Sequence, residues 1–200
     1  MPQAAEPITC PYEPTPHRIR WTRAQYDTFR DTGVLNGRYE LIDGEIISKM
    51  GVNPPHSGTL IAVRLWLSFV FGGSFVRTET TVDVGEADPE HNEPQPDVSV
   101  TVKPHTAYFD THPAPTDVVL AVEVSDSTLR FDRSKKALLY SLAGIQEYWV
   151  IDIAGRRVYV HRHPTPSGYL EVIAYEADEK VATLTRPEET IQVANLLPPI

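Results

Sequence analysis

Two acidic residues in the middle of the chain could act together on a divalent cation. Asp97 follows Pro96 at the start of one apolar run, and Glu123 lies near the end of another, the string VVLAVEV. Hard cations such as Mg²⁺ and Mn²⁺ prefer oxygen ligands and are often held by one or two carboxylates, water and substrate phosphate. If the two runs form paired strands, both carboxylates can converge on one ion.

Each carboxylate also has an ordinary structural interpretation. A buried carboxylate without a partner costs several kcal/mol, so Glu123 needs a cation, a basic partner or protonation. A place at the solvated margin of a sheet, or an ion pair with Arg133, would satisfy it equally well. An aspartate after a proline, such as Asp97, usually belongs to a turn. The strand pattern alone leaves these interpretations open.

The strands that would position these groups follow from the apolar pattern. Asp43-Gly44 predicts a tight hairpin between strands at 39–42 and 45–49, since both turn residues tolerate positive φ. Further strands are predicted at 74–84, 97–102, 118–124, 148–153, 157–161 and 169–175. Residues 85–96 are interpreted as an acidic loop. The strands after 148 form an antiparallel meander.

Three helices are predicted between the strands. The first spans 23–30, with Thr22 as its N-cap. The second spans 57–71 and is apolar on most sides, which predicts a largely buried helix. The third spans 134–143, with Leu138, Leu139 and Leu142 as its apolar stripe. Together with the strands they predict an α/β fold.

Length and composition predict one domain in the cytoplasm. The chain has 200 residues, of which 41% are hydrophobic, enough for one core at residues 19–200 behind an extended, Pro-rich arm at 1–18. A run of 18 or more apolar residues and a secretory signal pattern are both absent from the sequence, so no membrane partner is expected. The single cysteine, Cys10, excludes an internal disulfide.

The net charge of −9 argues against strong non-specific attraction to nucleic acid, which needs Lys and Arg on one face. A carboxylate metal site would account for part of this negative charge, and its cation would offset it. Binding to nucleic acid therefore requires a local basic surface.

Five short segments, in order, resemble one family. They are YELIDGE from Tyr39, PDV from Pro96, EVS from Glu123, DR from Asp132 with Lys136, and EYW from Glu147 with Asp152. Across residues 20 to 175 the chain resembles the Uma-type restriction endonuclease family, a branch of the PD-(D/E)XK nuclease superfamily. The resemblance implies a restriction endonuclease-like core, α/β (α+β), with a mixed β-sheet flanked by helices.

The resemblance also implies roles for individual residues. Asp97 and Glu123 take the places of the superfamily's two metal-binding acids. The superfamily's lysine would follow Glu123 by two positions, where this chain has Ser125. In this branch a lysine from the next helix is thought to replace it, and Lys136 matches that position, with Lys135 as the rival.

An additional carboxylate could come from the hairpin. Glu40 is ranked ahead of Glu45 because its Tyr-Glu-Leu context matches the family pattern, although a structural salt bridge would explain either residue. The two glutamates would lie on opposite faces of the hairpin only if the turn preserved the alternation.

Other candidates have simpler explanations. His161 and His163 fall on one face of a predicted strand, where a solvated hairpin end is favoured over a metal site. His56 precedes the second helix and either reaches the site or caps that helix. Residues 125–128 are expected to form a turn bonded to its own backbone. Trp149 is expected in the core.

The expected function is metal-dependent hydrolysis of phosphodiester bonds, with Mg²⁺ or Mn²⁺ as cofactor and DNA as substrate. A homodimer is expected because cutting both strands of a duplex needs two sites related by symmetry. The alternatives are a non-catalytic nuclease-fold module for binding or assembly, and a carboxylate-pair hydrolase acting on a glycoside, which would need aromatic residues around Asp97 and Glu123.

Overall fold

The computed structural model describes residues 19–49 and 53–199. The predicted arm at 1–18 and Cys10 lie outside these residues. The predicted hairpin is present as β1 (Tyr39–Ile42) and β2 (Glu45–Ser48). Its turn residues Asp43 and Gly44 have φ angles of 52° and 71°, the left-handed values that a tight two-residue turn requires.

Six further strands form one mixed sheet in the spatial order β3-β4-β5-β6-β7-β8. The β5–β6 pair is parallel and the other neighbours are antiparallel. The strands are β3 (Val76–Thr78), β4 (Val98–Thr101), β5 (Val118–Ser125), β6 (Glu147–Asp152), β7 (Arg157–Thr165) and β8 (Gly168–Glu176). The predicted α/β class and the antiparallel C-terminal meander are therefore confirmed.

Helices cover both faces of this sheet. α1 (Arg23–Asp31) begins at Thr22, which forms a capping box with Gln25, and α2 spans Pro54–Phe71. α3 connects the parallel strands β5 and β6 and has three consecutive parts: an α-helical turn at Leu129–Phe131, a π-helical stretch at Asp132–Lys136 and an α-helical end at Ala137–Leu142. It begins earlier than the predicted helix at 134–143.

The alternation of side chains divides β5 between two cores. Leu120, Val122 and Val124 pack on the α2 side with Trp149, which is fully buried as predicted. Ala121 packs on the α3 side against Tyr140 and Tyr148. Because successive residues of a strand point to opposite faces, Glu123 belongs to the α3 side.

The register of β4 and β5 aligns the two acidic residues. Val98 pairs with Val122 in an antiparallel ladder, so the next step outward brings Asp97 opposite Glu123. Val98 and Val100 pack on the α2 side, which leaves Asp97 on the same face as Glu123. The predicted convergence of the two carboxylates follows from this register.

The strand predicted at 74–84 is shorter than expected. A single 3₁₀ turn at Gly73–Phe75 leads into β3, which ends at Thr78. Glu79 has a left-handed φ of 53° and donates its N–H to the carbonyl of Asp97, which ends the ladder. The chain beyond remains irregular, although Val82 and Val84 are buried.

The burial predicted for the apolar faces of α2 and α3 is also wrong. In α2 only Thr59, Val63 and Leu67 are buried, whereas Phe69 is 79% exposed. This helix covers one face of the sheet, and nothing in the described part of the chain buries its outer side, so apolar residues on most sides did not produce burial. In α3, Leu138 and Leu142 are exposed because the helix turns Lys136, Leu139 and Tyr140 inward instead.

A two-stranded sheet of β9 (Lys180–Thr183) and β10 (Arg186–Gln192) follows the meander, with a 3₁₀ turn at Val193–Leu196. Glu147 links this two-stranded sheet to the main sheet through hydrogen bonds. This fully buried carboxylate accepts hydrogen bonds from Arg162 (2.7 Å), the Trp149 indole (3.1 Å) and the backbone N–H of Leu184 (2.7 Å). In the described part of the chain, no helix has the length and apolarity needed to cross a membrane.

His161 lies in the core on the α3 side, so the predicted solvated hairpin end is wrong for this residue. It is 3% exposed between Tyr148 and Tyr169, and its Nδ1 lies 3.2 Å from the Tyr148 carbonyl. His163 is exposed and has a left-handed φ of 60°, which interrupts the strand alternation on which the predicted shared face depended. Burial lowers the pKa of His161 to about 4, with a smaller contribution from Arg133.

This buried histidine predicts acid sensitivity of folding. The unfolded chain takes up a proton at an ordinary histidine pKa of about 6.5, whereas the folded protein does so only near pH 4. Stability should therefore fall as the pH drops from 6.5 to 4, by about 3 kcal/mol from this residue alone. His161→Gln keeps a donor for the Tyr148 carbonyl and should flatten this dependence in urea unfolding measured across the range.

His163→Asn is the matched control, since asparagine tolerates left-handed backbone and the residue is exposed. Its pH dependence should follow that of the parent protein. A parent-like slope in His161→Gln would contradict the assignment.

Candidate active site

Asp97 is a buried carboxylate with two defined partners. Its Oδ2 accepts a hydrogen bond from the backbone N–H of Val124 (2.8 Å), and its Oδ1 accepts one from Lys49 Nζ (2.9 Å). Burial alone would raise the pKa of Asp97, but Lys49 and the Val124 N–H outweigh it and hold that pKa below its ordinary value. The side chain thus points across the ladder to β5 and is no local turn residue.

Glu123 is 2% exposed and is surrounded by cations. Its Oε1 accepts hydrogen bonds from Lys136 Nζ (2.8 Å) and the Tyr140 hydroxyl (3.1 Å), while its Oε2 lies 3.9 Å from Lys49 Nζ. Burial raises the pKa of Glu123 to about 8, although both lysines act to lower it. The solvated margin and the pair with Arg133 are both wrong; Arg133 lies 3.6 Å over the ring of Tyr159.

Lys136, not Lys135, faces the buried acids Glu40 and Glu123. Its Nζ lies 2.7 Å from Glu40 Oε1 and 2.8 Å from Glu123 Oε1, and the residue is 2% exposed. Burial opposes its charge, but Glu123 and Glu40 outweigh burial and raise the pKa of Lys136. Lys135 forms a half-exposed pair with Glu45 (2.8 Å).

Glu40 reaches the site from the hairpin. It pairs with Ile47 across β1 and β2, while Glu45 pairs with Ile42. Directly paired residues share a face, so the two glutamates lie on the same face, and the condition for opposite placement is not met. They differ in position along the strands: Glu40 is buried beside Lys136, and its Oε2 accepts from the backbone N–H of Gln95 (3.2 Å), whereas Glu45 lies beside the turn.

Lys49 was not predicted as a site residue. It follows β2 directly, and by strand alternation it shares the face of Glu45 and Ile47. Its ammonium group lies between Asp97 and Glu123 and also donates to the carbonyl of Gln95. The alternation could have indicated the face of Lys49, but its partners come from distant strands and only the fold brings them together.

His56 reaches the site and does not cap α2. Asn53 is the cap, because its side chain accepts from the backbone N–H of His56 (3.0 Å). The His56 Nε2 lies 3.5 Å from Asp97 Oδ2 and is buried without a hydrogen-bonding partner among the described residues. It is therefore a polar atom at the cavity that a ligand could use.

Asp132 is another buried acid, which the sequence analysis named as part of the family pattern but did not predict as a site residue. It accepts hydrogen bonds from the hydroxyls of Ser125 and Thr128. The residues at 125–128 thus bond to α3 and do not form the self-contained turn that was predicted. The spacing of four between Asp132 and Lys136 places both on one face of a helix and was the available signal.

These side chains line one cavity at the ends of β4 and β5. Its lining includes Glu40, Lys49, His56, Asp97, Glu123 and Lys136. Across residues 19–49 and 53–199, no three His, Cys, Asp or Glu side chains form a group that could hold a metal ion. The arrangement is instead two facing carboxylates with a cation between them, which leaves water and substrate to complete any coordination of a hard ion.

Comparisons with known proteins place this chain in a family. The family model described as "Putative restriction endonuclease", Uma2, matches residues 29–194. A crystal structure of a "putative nuclease belonging to DUF820" from Anabaena variabilis aligns with a TM-score of 0.61 and 20% identity, over 84% of this chain and 96% of that one. No curated protein matches. The fold is thus shared with a nuclease-like structure, and the chain belongs to the Uma2 restriction endonuclease family.

Proposed function

We propose that this protein is a divalent-metal-dependent endonuclease that hydrolyses phosphodiester bonds of DNA. The observation that supports it most directly is the cation between Asp97 and Glu123. Lys49 Nζ lies 2.9 Å from an oxygen of one carboxylate and 3.9 Å from an oxygen of the other. Two carboxylates that face one positive charge offer the oxygen donors that a hard metal ion prefers.

Asp97 and Glu123 are the proposed metal ligands, with Mg²⁺ or Mn²⁺ as the ion, because restriction endonuclease-like families typically use a divalent metal. When bound, such an ion would polarise the scissile phosphate and lower the pKa of a water molecule. The Val124 N–H fixes Asp97, and Lys136 with Tyr140 fixes Glu123, so the oxygens that face the cavity are already oriented.

Lys136 and Glu40 are the other proposed catalytic residues. Lys136 holds Glu123 in place and supplies positive charge beside the phosphate, where it would steady the developing negative charge or the attacking water. Glu40 balances Lys136 from the hairpin at 2.7 Å. Each side chain is fixed by more than one partner, which is the preorganisation that charge stabilisation requires.

Nucleic acid as substrate is supported by the family and by one local feature. A second depression shares Ser127, Thr128 and Phe131 with the cavity and adds the exposed Arg130. A cation beside the cavity mouth can contact a phosphate even though the whole chain has a net charge of −9. Among the described lining residues Phe131 is the only Phe, Tyr or Trp, which disfavours the glycoside alternative.

Removing either proposed ligand should abolish cleavage. Asp97→Asn and Glu123→Gln keep the size of each side chain but weaken its hold on a cation, so cleavage of plasmid DNA with Mn²⁺ should fall about a hundredfold or more. Glu45→Gln, a carboxylate of the same hairpin that pairs with Lys135, should retain activity.

Thermal unfolding of each variant is the control, and a melting transition like that of the parent is expected if the fold is intact. Full activity in Asp97→Asn would exclude the site. A parent protein that neither binds Mn²⁺ nor cleaves DNA would favour the alternative, a non-catalytic module for binding or assembly.

The two adjacent lysines should differ in their effect on stability. Lys136→Met leaves Glu40 and Glu123 buried without their cation, and the free energy of unfolding should fall by about 3 to 5 kcal/mol in urea denaturation. Lys135→Met removes a half-exposed pair and should cost about 1 kcal/mol or less. Equal losses in the two variants would contradict the assignment of Lys136 to the site.

A homodimer is part of the proposal, because two copies related by a two-fold axis present two sites to the opposite strands of a duplex. Sedimentation velocity of the full chain, with and without a short DNA duplex, should show a species of twice the mass of the 22.4 kDa chain. A monomer under both conditions would exclude the dimer, and each protein molecule would then be expected to cleave one strand at a time.

A further inference from the structure

Lys49 occupies the space between the two proposed metal ligands. Its side chain is 11% exposed, its ammonium group donates to Asp97 Oδ1 at 2.9 Å, and it lies 3.9 Å from Glu123 Oε2. The carbonyl of Gln95 accepts another of its hydrogen bonds. Lys49 is thus held by the same two carboxylates that the proposed function assigns to the metal.

The two site lysines bind different oxygens. Lys136 contacts Glu123 Oε1, together with Tyr140, whereas Lys49 faces Glu123 Oε2 and Asp97 Oδ1. Asp97 Oδ2 is already bonded to the backbone N–H of Val124. Each acid therefore has one oxygen fixed by the fold and one directed to Lys49.

A divalent ion and an ammonium group cannot share this position. A metal ion would sit about 2.0 to 2.6 Å from each carboxylate oxygen, closer than the ammonium does, and the two cations would repel each other. Lys49 can move because a lysine has a flexible four-carbon stem, whereas Lys136 is enclosed by Glu40, Glu123 and Tyr140.

We propose that Lys49 is a tethered counter-ion, which occupies the metal position in the metal-free protein and is displaced when the divalent ion binds. This inference rests on the proposed metal-dependent function and adds a competitor to it. Lys49 stabilises the metal-free site, and it weakens the apparent affinity for the metal, because each binding event must first break the contacts of Lys49 with both acids.

The experiment compares the full-length parent protein with Lys49→Met and Lys49→Gln. Mn²⁺ binding is measured by isothermal titration calorimetry and the melting temperature is measured in EDTA and in excess Mn²⁺. Both variants should melt below the parent in EDTA, should recover in Mn²⁺, and should bind Mn²⁺ at least tenfold more tightly. The amide of Lys49→Gln can still donate to Gln95, which protects the fold if Lys49→Met does not express.

Lys135→Met is the matched control, since it removes a lysine–carboxylate pair outside the cavity. Its affinity for Mn²⁺ should equal that of the parent. If the Lys49 variants bind Mn²⁺ no more tightly than the parent, the counter-ion role is overturned. If the parent still binds Mn²⁺ and cleaves DNA in that case, the nuclease proposal stands. Absence of Mn²⁺ binding in all four proteins overturns both.

Discussion

The carboxylate of Glu123 is the constraint on which the site depends. It lies on a strand whose other residues are nearly all buried, and leaving its charge without partners would cost several kcal/mol. Lys136 and Tyr140 approach one oxygen from α3, and Lys49 approaches the other from the end of β2. The hairpin, the central strand and the crossover helix are therefore tied to a single buried group, and each needs the others in place.

This requirement accounts for the form of α3. A helix that joins two parallel strands must return across the face of the sheet, so it passes over the α3-side residues of β5. The π-helical stretch at Asp132–Lys136 lies at the point where it passes Glu123, and both end residues of that stretch are buried. Asp132 then binds the hydroxyls of Ser125 and Thr128, which fixes the end of β5 beside the cavity. Single π turns occur often at functional sites, and here one ends at Lys136, the residue that contacts Glu123.

The sequence predicted the structure best where a local pattern or the family resemblance was sufficient to decide. The Asp43-Gly44 turn predicted the hairpin, the apolar strand drew attention to Glu123 as a carboxylate that needs a partner, and the family resemblance indicated Asp97 and Lys136. Helical periodicity could not choose between Lys135 and Lys136, because both adjoin leucines and the decision depends on the π turn.

Lys49 was missed for a different reason. Its partners are separated from it by 46 to 74 positions in the chain, and no local pattern reports contacts at such distances. The apolar residues of α2 led to a prediction of too much burial. Composition measures apolarity, but it does not show whether other parts of the chain cover the helix.

The charges that line the cavity bear more directly on nucleic acid binding than the net charge of the whole chain. The net charge of −9 already includes Lys49 and Lys136, which offset two of the five acids that line the cavity, namely Glu40, Asp97, Glu123, Asp126 and Asp132. The lining therefore keeps an excess of acidic groups, and an approaching phosphate would need a bound divalent ion or nearby cations such as Arg130, because close charges dominate and distant ones are screened by salt. The acidic composition then limits non-specific adhesion of nucleic acid elsewhere on the surface, while approach to the cavity depends on nearby cations. Net charge alone is thus a poor argument against nucleic acid as the substrate of this fold.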